Sequence, residues 1–225
     1  MKKMIKEPGK FSKVSCYIAA VLFALCALLV TGSDLIQAFS YNYNPFDFDK
    51  VLFIASMIAA ALLLVFKNAK LLPIPFAIYG IIEGYWLVST VIDMFKYKAF
   101  SFNTIMYRFV NLASVFGALL LVLIGVFALV KATRKITVVW FIPGIVFTLS
   151  TITVIIIQIV QFITNLAVGG GFNFVGTLFG GLFGIAQSLV FTVGVYFAGL
   201  AIRAFAKQLL FEAQKEDSTK DEIIN

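Results

Sequence analysis

An all-α integral membrane protein with six transmembrane helices is the fold class that three observations predict. The 225-residue chain is 61% hydrophobic and only 13% charged, and its mean hydropathy is +1.01. A soluble domain is about 45–50% apolar and about 25% charged, so this chain has too little polar surface to cover itself in water. Its apolar residues fall in six continuous runs, and its basic residues cluster beside alternate ends of those runs. A soluble domain, a disordered chain and a disulfide scaffold are excluded together. Continuous runs also exclude a membrane barrel, whose strands alternate.

The runs are Val14–Thr31, Val51–Phe66, Leu71–Phe95, Phe109–Val130, Ile136–Ile163 and Phe174–Ala206. A helix needs about 20 residues to cross a hydrocarbon core of about 30 Å. The first, third and fourth runs fit directly. The second is short, which predicts that its helix starts earlier, near Phe46 or Phe48. The fifth and sixth are long enough to tilt, kink or project. Pro73 and Pro75 suit the first turn of the third helix, where a missing amide donor costs little. Pro143, inside the fifth run, predicts a kink. Cys16 and Cys26 lie ten residues apart, roughly 15 Å along a helix and too far for a disulfide; they read as small apolar residues. Residues 1–13 form a basic cytoplasmic N-terminus, 14–206 the membrane domain, and 207–225 a charged cytoplasmic tail expected to fray.

Orientation follows from the 18 Lys and Arg residues. Fourteen of them precede the first run, separate the second from the third and the fourth from the fifth, or stand in the last turn of the sixth (Arg203) and beyond it. Only Lys50, Lys96, Lys98 and Arg108 fall in the alternate connections. The positive-inside bias therefore predicts that both termini are cytoplasmic, in a plasma membrane. A basic chain also suggests nucleic acid, but clusters set between apolar runs are the membrane pattern, and no nucleic-acid partner is expected.

Three hairpins form a possible internal repeat. The predicted outer connections share an aromatic and Asn texture, in Tyr41–Asp49, Phe100–Asn103 and Phe172–Phe174. Each is followed by a small pair, Ala55-Ser56, Ala113-Ser114 or Ala186-Gln187-Ser188. Shared membrane constraints explain the same texture without duplication.

Polar residues recur on one face of each odd helix. Ala20, Ala24, Ala27, Thr31 and Asp34 share a face of the first, and Gly80, Glu83, Leu87 and Thr90 a face of the third. Gly144, Thr151, Gln158 and Asn165 recur every seven residues in the fifth. Lipid satisfies none of these polar groups, so the stripes are expected to converge inside the bundle. The sixth helix adds Gln187 on a face of glycines that includes Gly176, Gly180 and Gly184. Asp93 and Gln161 belong to the outer ends. The candidate pocket is thus Thr31, Asp34, Glu83, Thr90, Asp93, Thr151, Gln158, Gln161 and Gln187. Packing by small residues and cross-helix hydrogen bonds accounts for many of the same positions.

Glu83 stands apart. It lies thirteen residues past Lys70, about 20 Å along the helix and near mid-membrane. An ionisable group there is costly and marks a candidate site. With no basic residue in the central stretches of the runs to pair with it, a neutral carboxyl bonded to a neighbouring helix, through Gln187 or a threonine, is expected.

The chain has no histidine, no phosphate-binding loop, no metal-ligand cluster and no second deep acid. No enzymatic activity and no cofactor are expected. Two classes of function fit. The first is a small-molecule or ion transporter, or a substrate-binding transport subunit, with a polar pocket open to the outer face. The second is a non-transporting scaffold or accessory subunit of a larger membrane complex. With no motor domain in the chain, pumping would need a partner membrane or motor subunit.

Overall fold

The computed structural model describes residues 11–41, 47–66, 71–98, 100–129, 139–168 and 174–224. Six helices hold nearly all of them: α1 Phe11–Tyr41, α2 Phe48–Val65, α3 Pro73–Tyr97, α4 Phe102–Leu129, α5 Ile142–Val168 and α6 Phe174–Ile224. Each is long and apolar enough to cross a membrane, and no strand occurs among the described residues. Helices close their own backbone hydrogen bonds, the condition for a stable chain in hydrocarbon. The bundle's outer surface is itself apolar, with Val21 66%, Leu28 68% and Ile81 72% exposed. In water such a surface would aggregate; around a bundle in lipid it is the expected exterior. This is the build of a multi-pass membrane protein.

The helices form a ring in chain order. Each packs on its neighbours in sequence, α6 closes on α1, and α4 also meets α6. The α1–α6 and α3–α4 interfaces are the most extensive. Small residues bring the helices close, as packing in lipid requires. A Cβ on Gly117 would stand 2.6 Å from the Phe147 ring. One on Gly144 would overlap the Tyr196 ring. In both places the glycine lets α5 seat an aromatic contact with a neighbouring helix.

The half of the bundle nearer the start of α1 has a solid apolar core. Ala19, Ala20, Phe23 and Ala27 of α1 meet Met57, Ala60 and Leu64 of α2, Leu72 just before α3 and Phe76 within it, and Val195, Ala198 and Ile202 of α6. The aromatic members interlock edge to face, with Phe23 5.6 Å from Phe76 and 6.0 Å from Phe191 between ring centroids.

Several boundaries differ from the sequence expectation. Helix α2 does start at Phe48, as its short apolar run requires, and Pro73 opens α3. Pro143, however, lies in the first turn of α5 and bends nothing. There its missing amide is one that no intrahelical carbonyl would have met. The tail does not fray after Phe211; α6 runs unbroken for 51 residues to Ile224. Residues 203–224 contain no Gly or Pro, and Gln208 bonds Glu212 one turn on, at 2.9 Å. Ala24 is exposed, so the packed face of α1 is Ala19, Ala20, Phe23, Cys26, Ala27 and Val30. On α6 a Cβ at Gly180 would meet nothing within 4 Å, whereas Gly181 faces Gln158. Of the predicted glycine face, Gly180 is thus unpacked, whereas Gly184 also faces Gln158 and Gly194 stands against Phe23.

Candidate functional site

A cavity of about 300 Å³ opens in the other half of the bundle, toward the end that bears the α1–α2, α3–α4 and α5–α6 connections. Its walls come from four consecutive helices. Tyr79 and Glu83 project from α3, and Tyr107, Asn111 and Ser114 from α4. Ser150, Thr151 and Gln158 project from α5, and Gln187, Ser188 and Thr192 from α6. Phe147 and Gln158 bound it along α5, an axial span of about 16 Å.

The floor is aromatic. Phe191 of α6 is central, its ring centroid 4.9 Å from Phe147, 5.2 Å from Tyr79 and 6.5 Å from Phe53 of α2. Phe53 also stands edge-on to Tyr79 at 5.5 Å. These four rings line the cavity, and the Phe23–Phe76 pair lies beneath them against Phe191. A polar chamber thus rests on a packed apolar layer.

Among the described residues, Glu83 is the one acidic residue lining the chamber, and no Lys or Arg lines it. Its hydrogen-bond partner is Tyr79, one turn earlier on the same helix, whose hydroxyl also bonds Ser114 of α4. The expected partner on another helix, Gln187 or a threonine, is therefore corrected. Residues four apart share a helix face, so the local pairing forms as α3 forms. A carboxylate accepts about four hydrogen bonds, so Tyr79 takes only part of its capacity.

Thr151 is a hub between α5 and α6. Its hydroxyl lies 2.7 Å from that of Thr192, 3.0 Å from that of Ser188, and 3.2 Å from the Ser188 carbonyl oxygen. Thr192 in turn donates to the Phe147 carbonyl at 3.2 Å. Gln158 fits against α6 because that helix presents glycine: a Cβ on Gly181 would stand 3.1 Å from its Oε1, and one on Gly184 3.7 Å from its Nε2.

Of the nine residues proposed from sequence, the cavity gathers Glu83, Thr151, Gln158 and Gln187. Gln161 is adjacent to it, its amide donating to the hydroxyl of Tyr107 at 3.4 Å. The other four lie elsewhere. Asp34 pairs with Lys50 at 3.0 Å and ties the end of α1 to the start of α2. Thr31 donates to the Ala27 carbonyl at 2.8 Å. Thr90 turns back on its own helix to the carbonyls of Trp86 and Leu87, and Asp93 is exposed.

Of the odd helices, α3 and α5 therefore converge on one pocket and α1 does not. Helix α1 lines none of it, because the aromatic layer fills the space on its side. Lys50, a lone base in the sequence, neutralises Asp34 locally. Lining residues outside the nine proposed from sequence come mainly from the even helices, and two of them, Ser114 and Ser188, stood out only as part of the hairpin repeat. Asn111 and Ser114 are three apart, and Ser188 and Thr192 four apart, the spacing that places a pair on one face. Tyr79 was findable by the same rule from Glu83. Among the described residues no group of three or more potential metal ligands is present. The chain matches no family model, no curated protein and no solved structure.

Proposed function

We propose that this protein binds a small molecule in the Glu83 cavity, as a transporter or as the substrate-binding subunit of a transport complex in the plasma membrane. The observation that carries this reading is the chamber itself: about 300 Å³ of space walled by hydroxyl, amide and carboxyl groups. Ligand sites are concave and hold a few convergent polar groups. A deep ionisable residue in a membrane helix is by default functional. Helix packing alone needs no such space, since lipid offers nothing better than close contact. The Thr151–Ser188–Thr192 cluster favours the second reading, a scaffold or accessory subunit, because it pins α5 to α6 with no ligand.

Purification in mild detergent followed by native mass spectrometry separates the two. A retained small molecule is expected. A retained protein subunit with an empty chamber would instead support the accessory role.

The chamber's mouth is assigned to the outer face, with both termini cytoplasmic, on the strength of the basic residues in alternate connections. In a variant with Cys16 and Cys26 replaced, single cysteines at Asn44, Ser101 and Asn173 should react with an impermeant thiol reagent in intact cells. Cysteines at Asn68 and Thr133 should react only after permeabilisation. Of these, Ser101 is exposed at the α3–α4 connection; the other four positions lie outside the described residues. Reversed labelling of either set overturns the orientation. The three-hairpin repeat is part of this proposal, supported by Ser114 and Ser188 lining the chamber from the second and third hairpins. In the first, Ser56 is buried and donates to the Phe53 carbonyl at 2.7 Å.

A further inference from the structure

The geometry points to a ligand class for this cavity: we propose that it takes a small organic cation, a protonated or quaternary amine held between the Glu83 carboxylate and the aromatic floor. The proposal rests on the reading of the chamber as a ligand site and specifies its charge selectivity. Three features argue for it together. The first is the sign of the wall: among the described residues that line it, Glu83 is the one carboxyl group and there is no Lys or Arg. An anion entering would meet a carboxylate with no compensating base, whereas a cation brings the counter-charge that the helices do not supply.

The second is the floor. Tyr79 and Phe191 each stand within 4.9–6.5 Å, between ring centroids, of the other and of both Phe53 and Phe147. Aromatic faces within about 6 Å of an ammonium attract it through the ring quadrupole, most strongly when water is excluded. An inorganic ion gains much less here. Calcium takes 6–8 oxygen ligands, and magnesium six at near-ideal octahedral geometry, with carboxylates carrying the charge; here a single carboxylate stands among neutral hydroxyl and amide groups. The third is the wall from α4, α5 and α6, where Asn111, Gln158 and Gln187 carry amide oxygens able to accept N–H bonds. A cation with an apolar body and a polar head matches the sequence from floor to wall.

The test uses the full chain in a non-ionic detergent and three probes of one shape and different charge: benzylammonium, benzyl alcohol and benzoate, at neutral pH. Equilibrium binding should rank benzylammonium at least about tenfold above benzyl alcohol, as a charge-assisted hydrogen bond and a cation–π contact together imply. Benzoate should bind weakest. Glu83→Gln should lower benzylammonium affinity to that of the alcohol and leave the alcohol unchanged. Glu83→Asp, which keeps the charge on a shorter arm, should retain the preference for the amine. The wild-type ranking stands without any variant, so a Glu83→Gln protein that fails to fold does not remove the test. Equal or tighter binding of benzyl alcohol or benzoate overturns the cation assignment and leaves the chamber as a ligand site. Absence of benzylammonium binding to wild type overturns it as well. Native mass spectrometry then decides separately whether the chamber holds any ligand.

Discussion

Glu83→Gln should leave the bundle folded in the membrane while lowering retention of its ligand roughly 10- to 100-fold, the worth of a charge-assisted hydrogen bond. Glutamine keeps the length of the side chain and can still accept a hydrogen bond from Tyr79, the residue that holds Glu83. Stability should therefore change by no more than about 1 kcal/mol, since side-chain hydrogen bonds in membrane proteins average about 0.6 kcal/mol. Glu83→Leu goes further, removing both the charge and the acceptor. Tyr79 keeps Ser114 as a partner, so the added loss of stability should stay near the same size. Thermal unfolding in detergent gives the stability term, and ligand mass or flux gives the functional one. Full ligand retention in both variants would make Glu83 a structural residue.

Phe191→Ala should be the most damaging single truncation in the bundle. Its ring touches Phe23, Phe53, Tyr79 and Phe147, joining five of the six helices. Phe to Ala in a water-soluble core costs about 3–5 kcal/mol, part of which is transfer from water. Between lipid and a bundle core that part largely vanishes. The cavity term remains: about 24 cal/mol per Å3 over a loss of roughly 100 Å3 comes to about 2–3 kcal/mol. The same void would join the chamber above to the apolar core below, so ligand binding should weaken together with stability. Phe191→Leu, which refills most of the volume, should recover most of the stability. Unfolding of both variants checks this, and an unchanged Phe191→Ala protein would mean that the aromatic layer collapses without cost.

The membrane fold was legible because hydrophobicity over a whole run is a local quantity. The six runs became six helices, Phe48 starts α2 and Pro73 starts α3, since length and proline act along one segment. Glu83 was legible for the same reason. A single acid in a deep apolar stretch is conspicuous whatever surrounds it, and it does line the chamber. Pro143 misled because a proline's effect depends on whether residues before it are helical. Helix α5 begins at Ile142, so the kink had no turn to act on.

What the sequence by itself determined, then, is the medium, the number of spans and the residues whose polarity must be turned away from lipid. Which of those residues meet is a property of helix rotation and neighbour choice, and only the tertiary structure decided it. On α1 the polar residues found local partners, one Asp34 oxygen on Lys50 and Thr31 on a backbone carbonyl, while faces on α3 and α5 met α4 and α6 around open space. Periodicity specifies that a face is buried but carries no information about its partner. Here the partner was set by bulky rings and small residues on different helices, Phe191 against Phe53 and Phe147 against Gly117. Those fits involve volumes far apart in the chain, and they placed the chamber among α3, α4, α5 and α6.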